Sequence, residues 1–356
     1  MQIQAAVDAL PTTGGRIILS EGTFTLAAAV TIAKNSVTIE GQGVSTKINF
    51  SAAVNFFKLG HASTQYEDCT IRNIYFDGNS GSATLPAIDN FTLNVEISRV
   101  TIENCRFANC ENDIIKSNSD TGFFGMLIRN CFFKDWGTGI NDRAIDLNAV
   151  NRGGNMVMNC RFQPTASSKC IIGDNIDTVV IGNNFYLPSG YNTTVIEDCF
   201  TVDGNLMLIA GTFGNSFIGI VDGRSVSNNY INSTSAADST SIGIKNSLFV
   251  HNNTLFNLGT GIYYDSPIGA RITANVLDTM YRDGINIDVG TNSRYFISGN
   301  HLEDIGAATD NTYTGILLNS GNYHVIQGNY IGLPSLTNNM KYGIRETGTG
   351  IGPNVI

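Results

Sequence analysis

The feature that most constrains this chain is a short motif that recurs along most of its length. Each copy has an aliphatic residue, two small or polar residues, a key residue that is usually Asn, any residue, and a large apolar residue. It is clearest at residues 295–302 (YFISGNHL) and 324–331 (HVIQGNYI). Thirteen copies occur, with key positions at Gln42, Ile74, Cys105, Cys131, Cys160, Asn184, Asn205, Asn229, Asn253, Asn275, Asn300, Asn329 and Asn354. Such regular repetition is typical of a solenoid, whose repeats stack on one another.

The residues around each key position predict a strand, a tight bend and a second strand. The residue three before it is always Ile or Val, and the residue two after it is large and apolar in twelve copies. Gly and Asn at the bend tolerate left-handed backbone. A second series lies between the copies at Ile115, Ile145, Ile172, Ile196, Ile220, Ile244, Ile262, Ile285, Ile316 and Ile344, and Gly precedes the last six. We therefore predict three strands in each coil, which is too short for a crossover helix.

Together these patterns predict an all-β fold, a single-stranded right-handed parallel β-helix of about thirteen coils. Coils would stack about 4.8 Å apart, so that the key residues form a ladder of Cys and then Asn side chains. Residues 2–10 place apolar side chains on one helical face before Pro11, which predicts a short capping helix. We accordingly divide the chain into an N-terminal cap at 1–36 and a β-helix body at 37–356.

Composition restricts the function classes. The chain has 21 basic and 30 acidic residues and a net charge of −9, which argues against a nucleic-acid partner. No apolar run reaches membrane-spanning length, so no membrane partner is predicted. The seven cysteines include no CxxC pair, which argues against a disulfide framework or a zinc site.

Three N-terminal segments carry a family resemblance: residues 3–10 (IQAAVDAL), 14–24 (GGRIILSEGTF) and 37–43 (VTIEGQG). They resemble the start of the pectate-lyase-like superfamily, particularly its phage tailspike and polysaccharide depolymerase members. The resemblance implies carbohydrate binding or cleavage, with a bacterial surface or extracellular polysaccharide as partner. It also implies a homotrimer located in a virion tail or outside the cell.

The residue after each inward Ile should point outward. This outward column is Lys58, Asp89, Lys116, Asp146, Gly173, Glu197, Val221, Lys245, Tyr263, Asn286, Leu317 and Arg345. Charges, amides and Tyr suit a sugar chain, because its hydroxyls need hydrogen-bond partners and its ring faces pack on aromatic side chains.

Two carboxylate pairs in or beside the column are candidate catalytic residues. Asp146 and Glu197 should lie two coils, about 9.6 Å, apart, near the range of about 6.5–9.5 Å of inverting glycosidases. Asp265 and Asp288 should lie on adjacent coils, about 4.8 Å apart, closer to the roughly 5–5.5 Å of retaining enzymes. An Arg could keep one carboxylate of a pair ionised while the other remains a proton donor.

Candidate substrate-binding residues surround both pairs, and they are Lys116, Trp136, Asp142, Arg143, Lys245, Tyr263 and Arg282. Trp136 is interpreted either as a sugar-stacking platform at the lip of a groove or as a loop anchor. An alternative role for close acids on adjacent coils is to bind Ca²⁺, since Asp and Asn oxygens suit that ion. No other metal or cofactor is predicted.

The favoured hypothesis is an endo-acting glycan depolymerase, a glycosidase rather than a lyase. One alternative is a noncatalytic glycan-binding or structural β-helix of a tail or adhesin, because acids exposed on many coils also pair by chance. Another is a lyase or epimerase acting on uronates, although the chain lacks the Asp-Pro-His-Glu motif of mannuronan epimerases. The sequence leaves open whether the protein is an enzyme.

Overall fold

The fold is an all-β parallel β-solenoid with one short N-terminal helix, as predicted. The computed structural model describes residues 2–50, 55–60, 65–78, 85–90, 97–117, 122–137, 141–148, 153–165, 168–174, 176–211, 217–234, 240–289, 293–308, 312–319, 323–332, 340–347 and 355. The chain forms two compact units. The first comprises Met1–Phe185 with Asp198–Phe200, and the second comprises Tyr186–Glu197 with Thr201–Ile356.

The first unit begins with helix α1 (Gln2–Ala9), which buries Ile3 and Val7. Its strands are β1 (Gly15–Ile18), β2 (Gly22–Leu26), β3 (Val30–Ile32), β4 (Val37–Phe50), β5 (Phe57–Leu59), β6 (Tyr66–Glu67), β7 (Thr70–Asp77), β8 (Ile88–Asn90), β9 (Ile97–Ser98), β10 (Thr101–Glu103), β11 (Arg106–Cys110), β12 (Ile115–Lys116), β13 (Phe123–Phe124), β14 (Leu127–Arg129), β15 (Phe132–Trp136), β16 (Arg143–Asp146), β17 (Met156–Met158), β18 (Arg161–Gln163), β19 (Lys169–Ile172), β20 (Val179–Ile181) and the beginning of β21 (Asn184–Leu187).

The second unit is built from strands alone within the described residues. They are β22 (Thr194–Glu197), β23 (Thr201–Asp203), β24 (Leu206–Ile209), β25 (Ile218–Val221), β26 (Ser225–Ser227), β27 (Tyr230–Ser233), β28 (Ile242–Lys245), β29 (Phe249–His251), β30 (Thr254–Leu258), β31 (Thr260–Tyr264), β32 (Ala270–Thr273), β33 (Val276–Met280), β34 (Ile285–Ile287), β35 (Tyr295–Ser298), β36 (His301–Ile305), β37 (Thr314–Leu318), β38 (Val325–Gln327), β39 (Tyr330–Ile331) and β40 (Tyr342–Glu346).

Each coil of the second unit contributes three strands, as predicted. Strands before the bend pair in parallel in the order β23, β26, β29, β32, β35, β38, and strands after it in the order β24, β27, β30, β33, β36, β39. The third strands pair in the order β22, β25, β28, β31, β34, β37, β40. The first unit repeats this plan, with β3, β5, β8, β12, β16 and β19 as its third strands.

The Asn ladder is confirmed in the second unit. Asn229 donates from its backbone N and its Nδ2 to Oδ1 of Asn253, at 3.0 and 2.9 Å, and its Nδ2 also reaches the carbonyl of Val202 at 2.9 Å. The residue before each of these two Asn, Asn228 and Asn252, has a φ of 55°. The amide therefore satisfies buried backbone groups at each bend, which would otherwise cost about 1–3 kcal/mol apiece. The same links join Asn205, Asn229, Asn253, Asn275, Asn300 and Asn329.

The Cys part of the ladder is also present, but one predicted position is wrong by one residue. The backbone N of Cys131 donates to Sγ of Cys160 at 3.4 Å. The backbone N of Cys160 donates to Oδ1 of Asn183 at 2.9 Å, so Asn183 and not Asn184 is the ladder residue. All seven cysteines are buried free thiols.

The shift at Asn183 follows from packing. In this copy Phe185 is fully buried, whereas the predicted inward residue, Tyr186, is 37% exposed. The stretch 179–186 (VVIGNNFY) contains two candidates for each position of the motif, so the pattern fits either register. Because a one-residue slip exchanges the inward and outward faces, burial of Phe185 decides the register.

The solenoid has about 11 turns, so the predicted thirteen coils are too many. The first copy, at Gln42, lies within the unbroken strand β4, where the pairing with β7 is irregular. The last copy, at Asn354, lies outside the described residues. A motif match at either end of a repeat does not require a complete turn, because it lacks a neighbour to stack on.

The inward Ile series is confirmed except at one coil. Strand pairing places Ile171 beside Ile145, and Ile172 beside Asp146, so the predicted inward residue Ile172 and outward residue Gly173 are each wrong by one position. Two adjacent Ile residues fit the pattern equally well. Ile172 is nonetheless only 3% exposed, and it covers one side of Asp146 with apolar surface.

The Gly residues before the inward Ile series allow neighbouring coils to approach closely. A Cβ on Gly261 would lie 2.7 Å from the carbonyl oxygen of Gly284 and 2.4 Å from Cδ2 of Leu277. Among the residues that the structure describes, none has an atom within 4 Å of such a Cβ on Gly343, in the same column. The column therefore contains its own matched control.

We expect Gly261→Ala to lower the free energy of unfolding by about 1–3 kcal/mol, because overpacking forces side chains and backbone to shift. Gly343→Ala should change it by less than about 0.5 kcal/mol, as surface substitutions usually do. Guanidinium denaturation followed by circular dichroism measures both. Equal effects of the two substitutions would contradict this interpretation of the column.

Candidate functional site

A row of alternating charges crosses four consecutive coils of the first unit. Strand pairing places Lys58 beside Asp89, Asp89 beside Lys116, and Lys116 beside Asp146. These four residues, which we call the charged row, are the start of the predicted outward column. The register of the inward Ile residues on β8, β12 and β16 therefore places Asp89 and Asp146 on either side of Lys116 in the row.

Two further side chains fix the row. Asp113, two residues before β12, accepts a hydrogen bond from Nζ of Lys116 at 2.8 Å and another from the backbone N of Arg143 at 2.8 Å. The guanidinium of Arg143 forms an ion pair with Asp146. Asp146 also accepts a hydrogen bond from the backbone N of Asn148 at 3.1 Å. The predicted neighbours Lys116 and Arg143 thus contact carboxylates of this site.

The two carboxyl groups of the charged row have different electrostatic environments. Burial raises the pKa of Asp89 to about 6, with Lys58 and Lys116 acting in the opposite direction. Burial also raises the pKa of Asp146, while the charge of Arg143 and the Asn148 amide lower it. Asp89 therefore holds a proton more readily at mildly acid pH, and Asp146 has a direct cationic partner that favours its ionised form.

The distance between Asp89 and Asp146 in the charged row suits acid–base chemistry on a glycosidic bond that lies between the two carboxyl groups. Asp89 and Asp146 are both direct strand neighbours of Lys116. They are therefore two strand spacings apart, about 9.6 Å between Cα atoms. Carboxyl groups about 6.5–9.5 Å apart leave room for a water molecule beside a sugar, which is the geometry of inverting glycosidases.

A cavity of about 350 Å³ lies in the second unit. Its lining residues are Thr240, Ile242, Thr260, Tyr263, Arg282, Asp283, Asn286, Asp288 and Tyr313. Three of these were predicted as site residues, namely Tyr263, Arg282 and Asp288. We call this the second-unit cavity. Its volume lies at the lower end of the range of about 300–1,000 Å³ for small-ligand pockets.

Polar contacts organise the second-unit cavity around Asp283. Its Oδ1 accepts from the backbone N of Thr314 at 2.9 Å, and its Oδ2 accepts from Nδ2 of Asn286 at 3.0 Å. Burial raises the pKa of Asp283. The guanidinium of Arg282 lies 5.8 Å from the ring centroid of Tyr313. Donors, acceptors and an aromatic face therefore converge on one concave surface.

The predicted pair Asp265 and Asp288 differs in its partners. Lys245 forms an ion pair with Asp265 at 2.7 Å, and this contact together with Asn246 holds the pKa of Asp265 below its usual value despite partial burial. Asp288 lines the second-unit cavity beside Tyr263, whose pKa is raised by burial and by that carboxylate. Lys245 thus neutralises one member of the predicted pair.

The other predicted pair falls in different units. Asp146 lies in the first unit and Glu197 in the second, where Glu197 is the strand neighbour of Val221. Near it, burial and the charge of Glu197 raise the pKa of Asp222. The pairing of Asp146 with Glu197 stays a prediction. Within the first unit, the direct strand neighbours place Asp89 in the partner position for Asp146.

For two of the predicted substrate-binding residues, Trp136 and Asp142, the recorded contacts are ones that hold the coils together. Trp136 is fully buried and packs edge-on against Phe162, with ring centroids 6.2 Å apart. A stacking platform needs an exposed ring face, which Trp136, a core residue at the end of β15, does not present. Asp142 is half-buried, and its carbonyl accepts a hydrogen bond from the backbone N of Lys169 at 2.9 Å.

Sequence reasoning did not single out Asp89, Asp113 or Asp283 as site residues. Asp89 belongs to the outward column, which was the signal that could have identified it. Asp113 and Asp283 occupy corresponding positions, two residues before Ile115 and Ile285, and each accepts a backbone N–H from the next coil. That recurrence, Asp-x-Ile, is visible in the sequence once the Ile series is aligned.

Neither a metal cluster nor a membrane helix occurs in the described part of the chain. No group of three or more His, Cys, Asp or Glu side chains there is arranged to hold a metal ion. No described helix has the length and apolarity to span a bilayer. The Ca²⁺ site stays a prediction.

Solved structures with a similar fold include phage tailspikes. A mutant tailspike of Escherichia coli bacteriophage HK620 matches with a TM-score of 0.67 at 14% identity, over 99% of this chain and 73% of that chain. The same phage's tailspike in complex with a pentasaccharide matches with a TM-score of 0.64 at 14% identity, over 98% of this chain and 74% of that chain. At such identity the likeness concerns the fold, and it confirms the predicted β-helix class.

A mannuronan C-5 epimerase AlgE4 A-module from Azotobacter vinelandii matches with a TM-score of 0.49 at 15% identity, over 99% of this chain and 94% of that chain. No family model matches the sequence. No curated protein matches it either.

Proposed function

We propose that this protein binds a bacterial surface polysaccharide and hydrolyses it within the chain, with the charged row as the catalytic centre. The observation that carries the proposal is the pair of desolvated carboxyl groups, Asp89 and Asp146, on either side of Lys116. Paired carboxyl groups with separate environments are the machinery of glycoside hydrolysis. The tailspikes of similar fold, one of them bound to a pentasaccharide, support a carbohydrate ligand.

In the proposed reaction Asp89 is the general acid and Asp146 the general base. Asp89 gives its proton to the glycosidic oxygen as the bond to the anomeric carbon breaks. Asp146 removes a proton from the water that attacks that carbon from the opposite face. Arg143 favours the ionised form of Asp146 before the reaction, and the two-coil separation makes inversion of the anomeric centre the expected outcome.

The second-unit cavity serves as a sugar-binding site in this proposal. Asp283 and Asn286 accept from and donate to hydroxyl groups, and the rings of Tyr263 and Tyr313 offer apolar faces. Arg282 adds a cationic donor. We also propose a homotrimer placed in a virion tail, by likeness to tailspikes.

A noncatalytic glycan-binding protein is the second candidate. One observation favours it: Asp146 is only 4% exposed and is already engaged by Arg143 and the Asn148 amide. To act as a base, Asp146 would have to release Arg143 or the Asn148 amide before its carboxylate could accept a proton from water. In this case Asp146 would stabilise the coil, and the second-unit cavity would supply the binding.

The experiment is product analysis on capsular and O-antigen polysaccharides, followed by NMR of the first anomer formed. Release of oligosaccharides with inverted anomeric configuration is expected. Retention of configuration would exclude the proposed roles of Asp89 and Asp146. Binding without any product, in a sample folded by circular dichroism, would favour the noncatalytic candidate.

A further inference from the structure

A second concave surface of the second unit lies on strands β29, β32, β35 and β38, away from the third strands that carry the second-unit cavity. It has a volume of about 720 Å³. We call it the arginine groove. Its lining residues are Leu248, Phe249, Pro267, Ile268, Gly269, Ala270, Arg271, Ser293, Arg294, Tyr295, Phe296, Tyr323 and Val325. Neither the predicted site nor the proposed catalysis uses any of them.

Strand pairing places a row of four residues along the groove, and a pair of residues lies beside that row. Phe249, Arg271, Phe296 and Val325 are successive neighbours on four coils. The guanidinium of Arg271 lies 5.7 Å from the ring centroid of Phe296. Two residues upstream of Phe296, the guanidinium of Arg294 lies 5.5 Å from the ring centroid of Tyr323. Each arginine is therefore held against an aromatic face.

The charge of the groove is uncompensated within the part of the chain that the structure describes. Arg271 and Arg294 are both exposed, and neither forms an ion pair with a described residue. Strand geometry puts their Cα atoms about 8 Å apart, one coil and two residues along. Like charges this close repel, and an anion between them would relieve the repulsion. In a chain of net charge −9, this cationic patch is a local reversal of sign.

The aromatic surface defines the remainder of the ligand. Phe249 is 45% exposed and Tyr323 is 54% exposed. Ring faces open to solvent at a concave site pack well against the C–H faces of sugars, and guanidinium groups bind carboxylates bidentately. A concave surface of this volume suits a small flexible ligand, whereas a two-fold interface between copies needs a self-complementary patch.

We propose that the arginine groove is a separate binding site for a saccharide bearing an anionic group. Arg271 and Arg294 bind the anion, and Phe249 and Tyr323 pack on the adjoining rings. This site does not depend on the charged row or on hydrolysis. A glycan bound in the arginine groove would hold the protein on an acidic polysaccharide, regardless of which residues carry out catalysis.

The test is isothermal titration of the full chain with a glucuronate-containing oligosaccharide, its carboxyl methyl ester and a phosphate-bearing sugar of the same length. We expect the acid to bind, and the methyl ester to bind at least about tenfold more weakly. Binding of the phosphate-bearing sugar as tightly as the carboxylate would identify phosphate as an equal source of the anion. Equal affinity for acid and ester would overturn the proposal.

Variants locate the binding. The double substitution Arg271→Ala, Arg294→Ala should weaken binding of the acid at least tenfold, with Tyr323→Ala weakening acid and ester alike. Arg106→Ala is the matched control, because Arg106 also stacks on an aromatic ring, 4.9 Å from the Tyr75 centroid, but lies in the first unit. Equal loss in the control would overturn the proposal. So would tighter binding of single-stranded DNA at the groove, or dissociation of an oligomer by the double substitution in light scattering.

Discussion

Asp89→Asn and Asp146→Asn should each lower kcat/KM for glycan hydrolysis by about 10³-fold, while glycan affinity changes little. The expectation follows from their separate roles, since positioned acid or base groups contribute about 10²–10⁴-fold. Asn keeps the shape of Asp but neither donates the carboxylic proton nor accepts one from water. Initial rates of reducing-end release, with binding measured separately by titration, distinguish lost chemistry from lost affinity.

Asp278→Asn is the matched control for these substitutions. Asp278 is also a strand carboxylate whose pKa is raised by burial, but it lies on β33 in the second unit and outside both sites. Its substitution should leave hydrolysis unchanged. Full activity of Asp146→Asn would remove Asp146 from the reaction, and an equal loss in Asp278→Asn would attribute the effect to folding.

The pH profile provides an independent measurement of Asp89. A general acid must be protonated, so kcat/KM should fall about tenfold per pH unit above the pKa of Asp89, about 6.

The raised pKa of Asp89 also affects the stability of the fold. Because its folded pKa lies above the unfolded value, the folded state holds an extra proton between those values. Stability associated with Asp89 is therefore complete at low pH and is lost as pH rises through about 6.

Asp89→Asn should consequently be less active and more stable at pH 7 to 8, by about 2 kcal/mol in the free energy of unfolding. The difference from the parent should vanish at about pH 3, below the unfolded Asp pKa of about 3.9, because Asp89 is then neutral in both the folded and the unfolded state. Thermal unfolding at both pH values measures it. A variant less stable than the parent at pH 8 would contradict the assignment of burial as the cause.

The architecture could be predicted from sequence because each level of the pattern repeats. The Asn bends and the inward Ile residues recur on many coils, so a chance match at one copy is outweighed by the rest. The errors occurred where the pattern is locally degenerate. Ile171 and Ile172 are both aliphatic, and Asn183 and Asn184 are identical, so only packing against the neighbouring coil selects between them.

The site was less predictable than the fold, because it depends on which residues of the outward column are partly buried and so lose contact with water. Lys116 and Asp146 were identified from the column and Arg143 from its place beside Asp146, and the structure brings the three together. Asp89 was in the same column, but nothing in its sequence surroundings indicated that it is buried enough to raise its pKa. Trp136 shows the converse, because an aromatic residue near a turn can equally be core.

The register error at residues 183–186 has an energetic explanation in a stack of Phe rings. In the first unit the residues two after the ladder position are Phe76, Phe107, Phe133, Phe162 and Phe185. Successive centroids are 4.8, 5.1, 4.9 and 4.7 Å apart, and the rings are within 10° of parallel. Placing Tyr186 inward instead would expose Phe185 and bury a phenol hydroxyl in this apolar stack.

Phe133→Ala should lower the free energy of unfolding by about 3–5 kcal/mol, the usual cost of truncating a buried Phe. Phe133 contacts rings on both sides, so the cavity cannot collapse without moving two coils whose strands are held by hydrogen bonds. Guanidinium denaturation, with fluorescence and circular dichroism followed together, measures the loss. A decrease below about 1 kcal/mol would contradict the central place of the stack.

Phe133→Leu is the control, because Leu255 and Leu277 occupy the corresponding column in the second unit and are fully buried. If the column requires only apolar volume, Leu should recover most of the loss. If ring stacking itself matters, Leu should remain destabilised by about 0.5–1.5 kcal/mol beyond its lost area, the value of an aromatic pair. The second outcome would show that ring stacking, and not apolar volume alone, favours an aromatic residue at each position of this column, including Phe185.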